Sequence, residues 1–282
     1  MVERRLSKAR ETTGNLDAVR ESARRNVPDR YYAALFAPPR VRDDLIAIAA
    51  FDGEITRIAP LVSDAALGEI RIAWWRDALL GNERERGLSG NPVLDRFADV
   101  ALRHNLSRGD LEAYFNAHTD ALFADPPKDD VALNTAFRAI DGTPLAFGLQ
   151  VLHGSLDTEA RDLVDAAARA SGLTRIALTL PYTLAAGRSP LPDTRAPASA
   201  DGDWRPQINW LEQEAHAALS AVRRQLVGKP KVFTTALLPL ALIEPYFRAL
   251  QGARHEPRRD IVDIAPLARL WRIARAHWTR TL

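Results

Sequence analysis

Apolar residues recur at three- and four-residue spacing from Leu16 to Ala186, and alternating runs of the strand type are nearly absent. That pattern predicts an all-α chain. Breaks in it fall at Pro38-Pro39, Pro60, Gly87 to Pro92, Pro126-Pro127 and Gly142 to Pro144, each expected to close one helix and open the next. Between Gly187 and Pro206 the run GRSPLPDTRAPASADGDWRP forbids a regular element. It reads as a surface loop, because helical spacing resumes at once with Ile208, Leu211, Ala215 and Ala218. The expectation is one domain over residues 1–282.

Two helical segments, Arg42 to Ile58 and Asp64 to Leu80, carry charge where a core face should be apolar. Leu45, Ile48, Ala49, Ile55 and Ala59 make the first stripe and enclose Asp52. Leu67, Ile70, Trp74 and Ala78 make the second and enclose Arg71. A charge on a core face must be paired, metal-bound or lining a cavity, since burying it alone is costly. Two readings follow: Asp52 and Arg71 line a ligand cavity, or they form a buried ion pair between the helices. The second solves the burial problem without a ligand. Trp74 and Trp75 pack the core or wall a cavity, and core packing is the commoner use of aromatics at helical spacing.

The last segment, about residues 261–282, predicts an amphipathic helix. Ile264, Leu267, Leu270, Trp271, Ala274 and Trp278 lie to one side, with Arg269, Arg272, Arg275 and Arg280 around them. Such a helix either docks on the domain with solvated arginines or lies in a membrane interface.

Composition narrows the function. With 46% hydrophobic residues, the 282-residue chain can bury a large core. The balance of 38 basic and 36 acidic residues gives no electrostatic footprint for nucleic acid. Absence of cysteine excludes disulfides, thiolate catalysis and thiolate zinc sites. Residues 1–25 are polar and no run is long enough to cross a membrane, which predicts a cytoplasmic protein, soluble or peripheral on the inner membrane. The six histidines show no ligand spacing on one helix face, no glycine-rich phosphate loop is present, and Asp43-Asp44 and Asp129-Asp130 read as solvated acids at helix starts.

The stretch FAPPRVRDDLIAIAAFDGEITRI, preceded by Arg30-Tyr31-Tyr32 and followed by EIRIAWWRDAL, resembles the N-terminal part of the squalene/phytoene synthase family. The run from Ala170 through GLTRIALTLPYTLAAGRSPLP resembles that family's second signature. The resemblance covers roughly residues 20 to 250 and implies an all-α isoprenoid-synthase bundle with a central cavity. In that family two facing aspartate-rich helices hold Mg²⁺, a hard cation that takes carboxylate oxygens and neutralises the departing diphosphate. Tyr31 and Tyr32 match the opening segment and are cavity candidates.

The chain departs from the family where the metals belong. The first signature's aspartate positions fall on Thr56, Arg57 and Pro60, and the acidic positions of the second fall on Thr179, Tyr182 and Thr183. Arg57 and Arg175 bring positive charge instead, which repels Mg²⁺ and attracts an anion. Loss at both clusters resembles the family's non-catalytic branch, which includes the mitochondrial respiratory complex I assembly factor. The resemblance therefore implies an accessory protein for complex I subunits or assembly intermediates, holding an isoprenoid or other lipid, with no catalytic residue, metal or cofactor. Its cavity candidates are Tyr31, Tyr32, Asp52, Thr56, Arg57, Arg71, Trp74, Arg175, Thr179, Tyr182 and Arg188. The alternative is an active head-to-head prenyltransferase with Mg²⁺ held elsewhere, Asp52, Glu54 and Glu69 being the nearest carboxylates.

Overall fold

The computed structural model describes residues 2–62, 64–81, 89–123, 125–197, 199, 202–252 and 255–282, with side chains from residue 14 onward. Among these the regular structure is helical throughout, as the periodicity predicts. The chain divides into two compact units, residues 1–119 and 120–282. Gly87 and three positions of the 187–206 loop (198, 200 and 201) lie outside the described residues.

Unit 1 contains α1 (Val2–Asn26), α2 (Pro28–Ala34), α3 (Pro39–Thr56), the short α4 (Ile58–Leu61), α5 (Ala65–Leu80), α6 (Pro92–Arg103) and α7 (Arg108–Asp120). Prolines open α2, α3 and α6 at positions whose N–H needs no helical partner. Asp64 and Asn91 cap α5 and α6 by accepting from backbone N–H groups. The break expected at Pro60 spreads to either side of it: α3 ends at Thr56 and α5 begins at Ala65, with Pro60 itself inside α4, a single turn.

The core of unit 1 is built around Phe51 of α3. Its ring stacks on Phe97 with centroids 3.9 Å apart and meets Trp75 and Phe115 edge-on. Helix α3 is buried on nearly every side between residues 44 and 55, not along one stripe. Gly53 lets α1 come close: a Cβ there would lie 2.8 Å from Asn26 Cβ. That approach lets Ser22 and Asn26 donate to Glu54 at 2.7 and 3.3 Å.

Two expectations for unit 1 fail. Asp44, read as a solvated acid, is buried, and it accepts from Arg96, Arg103 and His104 at 2.8–2.9 Å. Helix α5 buries Gly68, Ile72, Trp75 and Leu79, not the stripe of Leu67, Ile70, Trp74 and Ala78. Leu67, Ile70 and Trp74 are exposed, so Arg71 stands on an open face and not in the core.

Burial alone would raise the Asp44 carboxyl, but hydrogen bonds from Arg103 and His104 and the charges of Arg103 and Arg96 outweigh it. The group therefore stays below its usual value of 3.8. A carboxyl depressed on folding adds stability that is complete above its unfolded pKa and disappears as the pH falls through the folded one. Denaturant midpoints should accordingly hold steady above pH 4 and drop below it. The Asp44 share of that slope is at most about 1.4 kcal/mol per pH unit. Asp44→Asn should flatten the acid limb; an unchanged slope would remove Asp44 from the account.

Unit 2 contains α8 (Asp130–Phe137), a π-helical turn at Arg138–Gly142, α9 (Thr143–His153), α10 (Thr158–Ala185), α11 (Arg205–Leu226), α12 (Lys231–Ala236), a 3₁₀ turn at Leu238–Leu242, α13 (Ile243–Leu250) and α14 (Pro266–Thr279). Leu163, Leu173 and Leu180 of α10 pack with Leu211, Ala215 and Val222 of α11 to form its core. Asp129 caps α8 and Asp130 pairs with Arg195, as surface acids at a helix start.

The predicted break at Gly142 to Pro144 does not occur. The helix runs through it by widening into the π turn, with Pro144 in the first turn of α9. Widening spares the α-type bond that a proline at that place cannot donate. Gly172 of α10 faces this region, and a Cβ there would lie 2.1 Å from the buried Phe137 ring. The final helix is shorter than expected, since Ile261–Ala265 is not helical, and it docks by Arg269, Ile273, Ala274 and Ala276.

Candidate functional site

Asp52 is 4% exposed and is paired, but not with Arg71. Arg30 of α2 lies with Nε 3.1 Å from Asp52 Oδ2, and the fully buried Tyr114 of α7 donates its hydroxyl to Oδ1 at 3.0 Å. Three helices of unit 1 thus converge on one carboxylate. Tyr31 and Tyr32, next to Arg30, are half-buried and meet edge-to-face at 5.5 Å.

Elsewhere in unit 1, residues of α3, α4 and α5 line a solvent-open cavity of about 330 Å³. It is lined by Glu54, Arg57, Ile58, Leu61, Ile70, Arg71, Trp74 and Trp75. Two residues of its apolar wall, Ile70 and Trp74, are ones that periodicity assigns to a core, and Trp74, 46% exposed, meets the buried Trp75 edge-on. Three candidates, Arg57, Arg71 and Trp74, come together here. Asp52 and the tyrosines are not in the lining.

The charge of the cavity is positive on balance, with two guanidiniums against one carboxylate. Glu54 is already occupied: Oε1 accepts from Ser22 and Asn26, and Oε2 lies 3.3 Å from Arg57 Nε. Arg71 has no ion-pair partner among the described residues. An anion entering this cavity would meet one uncommitted guanidinium and a second held at the rim. Thr56 adds no free ligand, because its hydroxyl donates to the Asp52 carbonyl at 2.8 Å.

In unit 2 the second signature lies along α10. Thr174, Thr179 and Thr183 each donate a hydroxyl to the carbonyl four residues back, at 2.8–3.0 Å. Tyr182 is exposed, and Pro181 sits within the helix. Arg175 grips Asp141 with Nε and Nη2, both at 2.9 Å, and Asp141 is buried in the π turn. Sequence reasoning missed Asp141; the available signal was a lone acid in the apolar run Ala139 to Phe147, which the nearby glycine and proline disguised as a break. Arg188 is not a free cavity group either, since it donates to the Ala121 and Leu122 carbonyls at 2.7 and 3.4 Å.

These donors do not fit Mg²⁺. At the six signature positions stand threonine, arginine, proline, threonine, tyrosine and threonine, and the threonine hydroxyls are spent on helix carbonyls. Among the described residues no three acidic or histidine side chains lie close enough to hold a metal together. The alternative ligands fare no better: Asp52 is held by Arg30 and Tyr114, Glu54 by Ser22, Asn26 and Arg57, and Glu69 stands exposed.

The profile of the squalene/phytoene synthase family matches residues 23–262. The chain belongs to this family. Its fold is similar to that in a crystal structure of a dehydrosqualene synthase in complex with ligand, with a TM-score of 0.70, 15% identity, and coverage of 96% of this chain and 99% of that one. It is also similar to squalene synthase HpnC from Alicyclobacillus acidocaldarius, with a TM-score of 0.65, 17% identity, and coverage of 86% and 94%. Comparison with curated proteins finds no match. No helix of the described residues is long and apolar enough to cross a membrane.

Proposed function

We propose that this member of the squalene/phytoene synthase family is non-catalytic and holds an anionic amphiphile, an isoprenoid or other lipid, in the cavity of unit 1. The observation that supports this reading is the replacement of every signature carboxylate, combined with an arginine, Arg71, left without an ion-pair partner beside an apolar wall. Diphosphate departure needs its accumulating charge neutralised by metal ions. Guanidiniums bind such a headgroup by charge and hydrogen bonds, but they neither bridge the leaving group as two metals do nor recruit Mg²⁺ beside themselves. Binding without ionisation is the outcome that chemistry favours.

A carrier of this kind acts through a partner. Resemblance to the branch that contains the complex I assembly factor makes respiratory complex I subunits or assembly intermediates the proposed partner. Deleting the gene should lower assembled NADH dehydrogenase and leave carotenoid and hopanoid content unchanged; the opposite result would favour a synthase. The second reading, an active head-to-head prenyltransferase, draws its support from the two similar solved structures, both described as synthases.

Binding itself is open to test by calorimetry with farnesyl diphosphate in the presence of a chelator. Affinity should survive metal removal and fall about tenfold in Arg71→Ala, the loss expected for one charge-assisted hydrogen bond. A strict requirement for Mg²⁺ would count against the reading.

A further inference from the structure

The last helix turns its apolar face outward. Leu267 and Trp271 are one turn apart on α14, Trp278 lies two turns further on, and they are 83%, 62% and 66% exposed. Leu270 and the preceding Ile261 are exposed as well. At 100° per residue, Leu267, Leu270, Trp271 and Trp278 fall within about a third of the helix circumference, and the small Ala274 between them is buried. The opposite side, Arg269, Ile273 and Ala276, is the one that packs on unit 2, and Arg269 is tied there to Asp263 and the Tyr246 hydroxyl. So the helix is anchored by one face while a second face, the more aromatic of the two, is left to water.

Charge says what that face meets. Pro266–Thr279 contains no acidic residue. Arg275 borders one edge of the apolar face, Arg272 lies between that edge and the packed side, and Arg280 follows at the end; none has a carboxylate within ion-pair reach among the described residues. Tryptophan and leucine flanked by unpaired arginine complement a surface that is greasy inside and anionic outside. A 14-residue helix is too short to span a bilayer, so it would lie along the surface. We infer that α14 docks this protein on an anionic lipid bilayer, with Trp271 and Trp278 at headgroup depth. The inference rests on unit 2 alone and is independent of the ligand assigned to unit 1.

Flotation of the full chain with vesicles is the test. The protein should float with phosphatidylcholine vesicles containing phosphatidylglycerol, remain in solution with phosphatidylcholine alone, and detach in high salt. Trp271→Ser with Trp278→Ser should lower partitioning at least about tenfold. Arg272→Gln with Arg275→Gln should lower it roughly fivefold per arginine. Trp271, Trp278 and Arg275 are exposed and Arg272 is half-buried, and matching thermal melts will verify that the variants fold. Quenching of wild-type tryptophan fluorescence by brominated lipid gives a second readout that needs no variant. Failure of the wild type to float, equal flotation with neutral vesicles, or a tryptophan-pair variant that floats as well as wild type would overturn the inference. Loss of a solution dimer in that variant, without any vesicle binding by wild type, would assign the face to a second copy instead.

Discussion

Asp52→Ala is expected to lower the free energy of unfolding by about 3–5 kcal/mol, the cost of breaking a buried, hydrogen-bonded charge pair from one side. The loss has two parts. Arg30 keeps its charge, with only a fifth of its side chain exposed, and the wholly buried Tyr114 hydroxyl loses its carboxylate acceptor. Asp52→Asn should cost less, because an amide oxygen still accepts from Tyr114. Arg71→Ala, on the open face of α5, should change stability by less than about 0.5 kcal/mol. Urea titration of the three variants separates the possibilities: large effects of both Asp52→Ala and Arg71→Ala would restore the pairing that sequence reasoning favoured, and a small effect of Asp52→Ala would contradict the Arg30–Tyr114 anchor.

The second large effect lies at the π turn. Arg175→Ala should cost about 3 kcal/mol or more, because it abandons the Asp141 carboxylate in a site only 4% exposed. The pair is asymmetric: a third of the Arg175 side chain reaches solvent, so Asp141→Asn strands a less deeply buried partner. That variant should cost about half as much. Arg175→Lys should recover only part of the loss, since one ammonium cannot reproduce the two parallel bonds. Equal melting temperatures for wild type and Arg175→Ala would mean that the pair contributes nothing to folding.

Both sites mark where sequence reading succeeds and stops. Periodicity finds Asp52 because a charge inside an apolar stripe is a local signal. Its partners, Arg30 on another helix and Tyr114 sixty-two residues further on, are set by tertiary packing that spacing does not encode. On α5 and α14 the stripe itself misleads. Each helix has two apolar sides, Leu67–Ile70–Trp74 against Ile72–Trp75–Leu79, and Leu267–Trp271–Trp278 against Ile273–Ala276. A moment points to the greasier side, whereas packing selects the one that fits its neighbours. Asp141 was hidden for a different reason: glycine and proline read as a break until a π turn allows the helix to continue.

The family's signatures survive these misreadings because they depend on residue type and order. Thr56, Arg57 and Pro60, with Thr179, Tyr182 and Thr183, present no carboxylate wherever each side chain points. What the structure adds is that the remaining nearby acids, Asp52 and Glu54, are held by Arg30 and Tyr114 in one case and by Ser22, Asn26 and Arg57 in the other. A magnesium site built from them would first have to dismantle a buried ion pair and a helix–helix contact.

The central claim, that this pocket binds without ionising its ligand, is met most directly by incubating the purified protein with farnesyl or geranylgeranyl diphosphate and Mg²⁺ and measuring released diphosphate. The account predicts no release above the protein-free control. Turnover that rises with protein concentration and disappears on chelation would contradict it and make the chain a synthase.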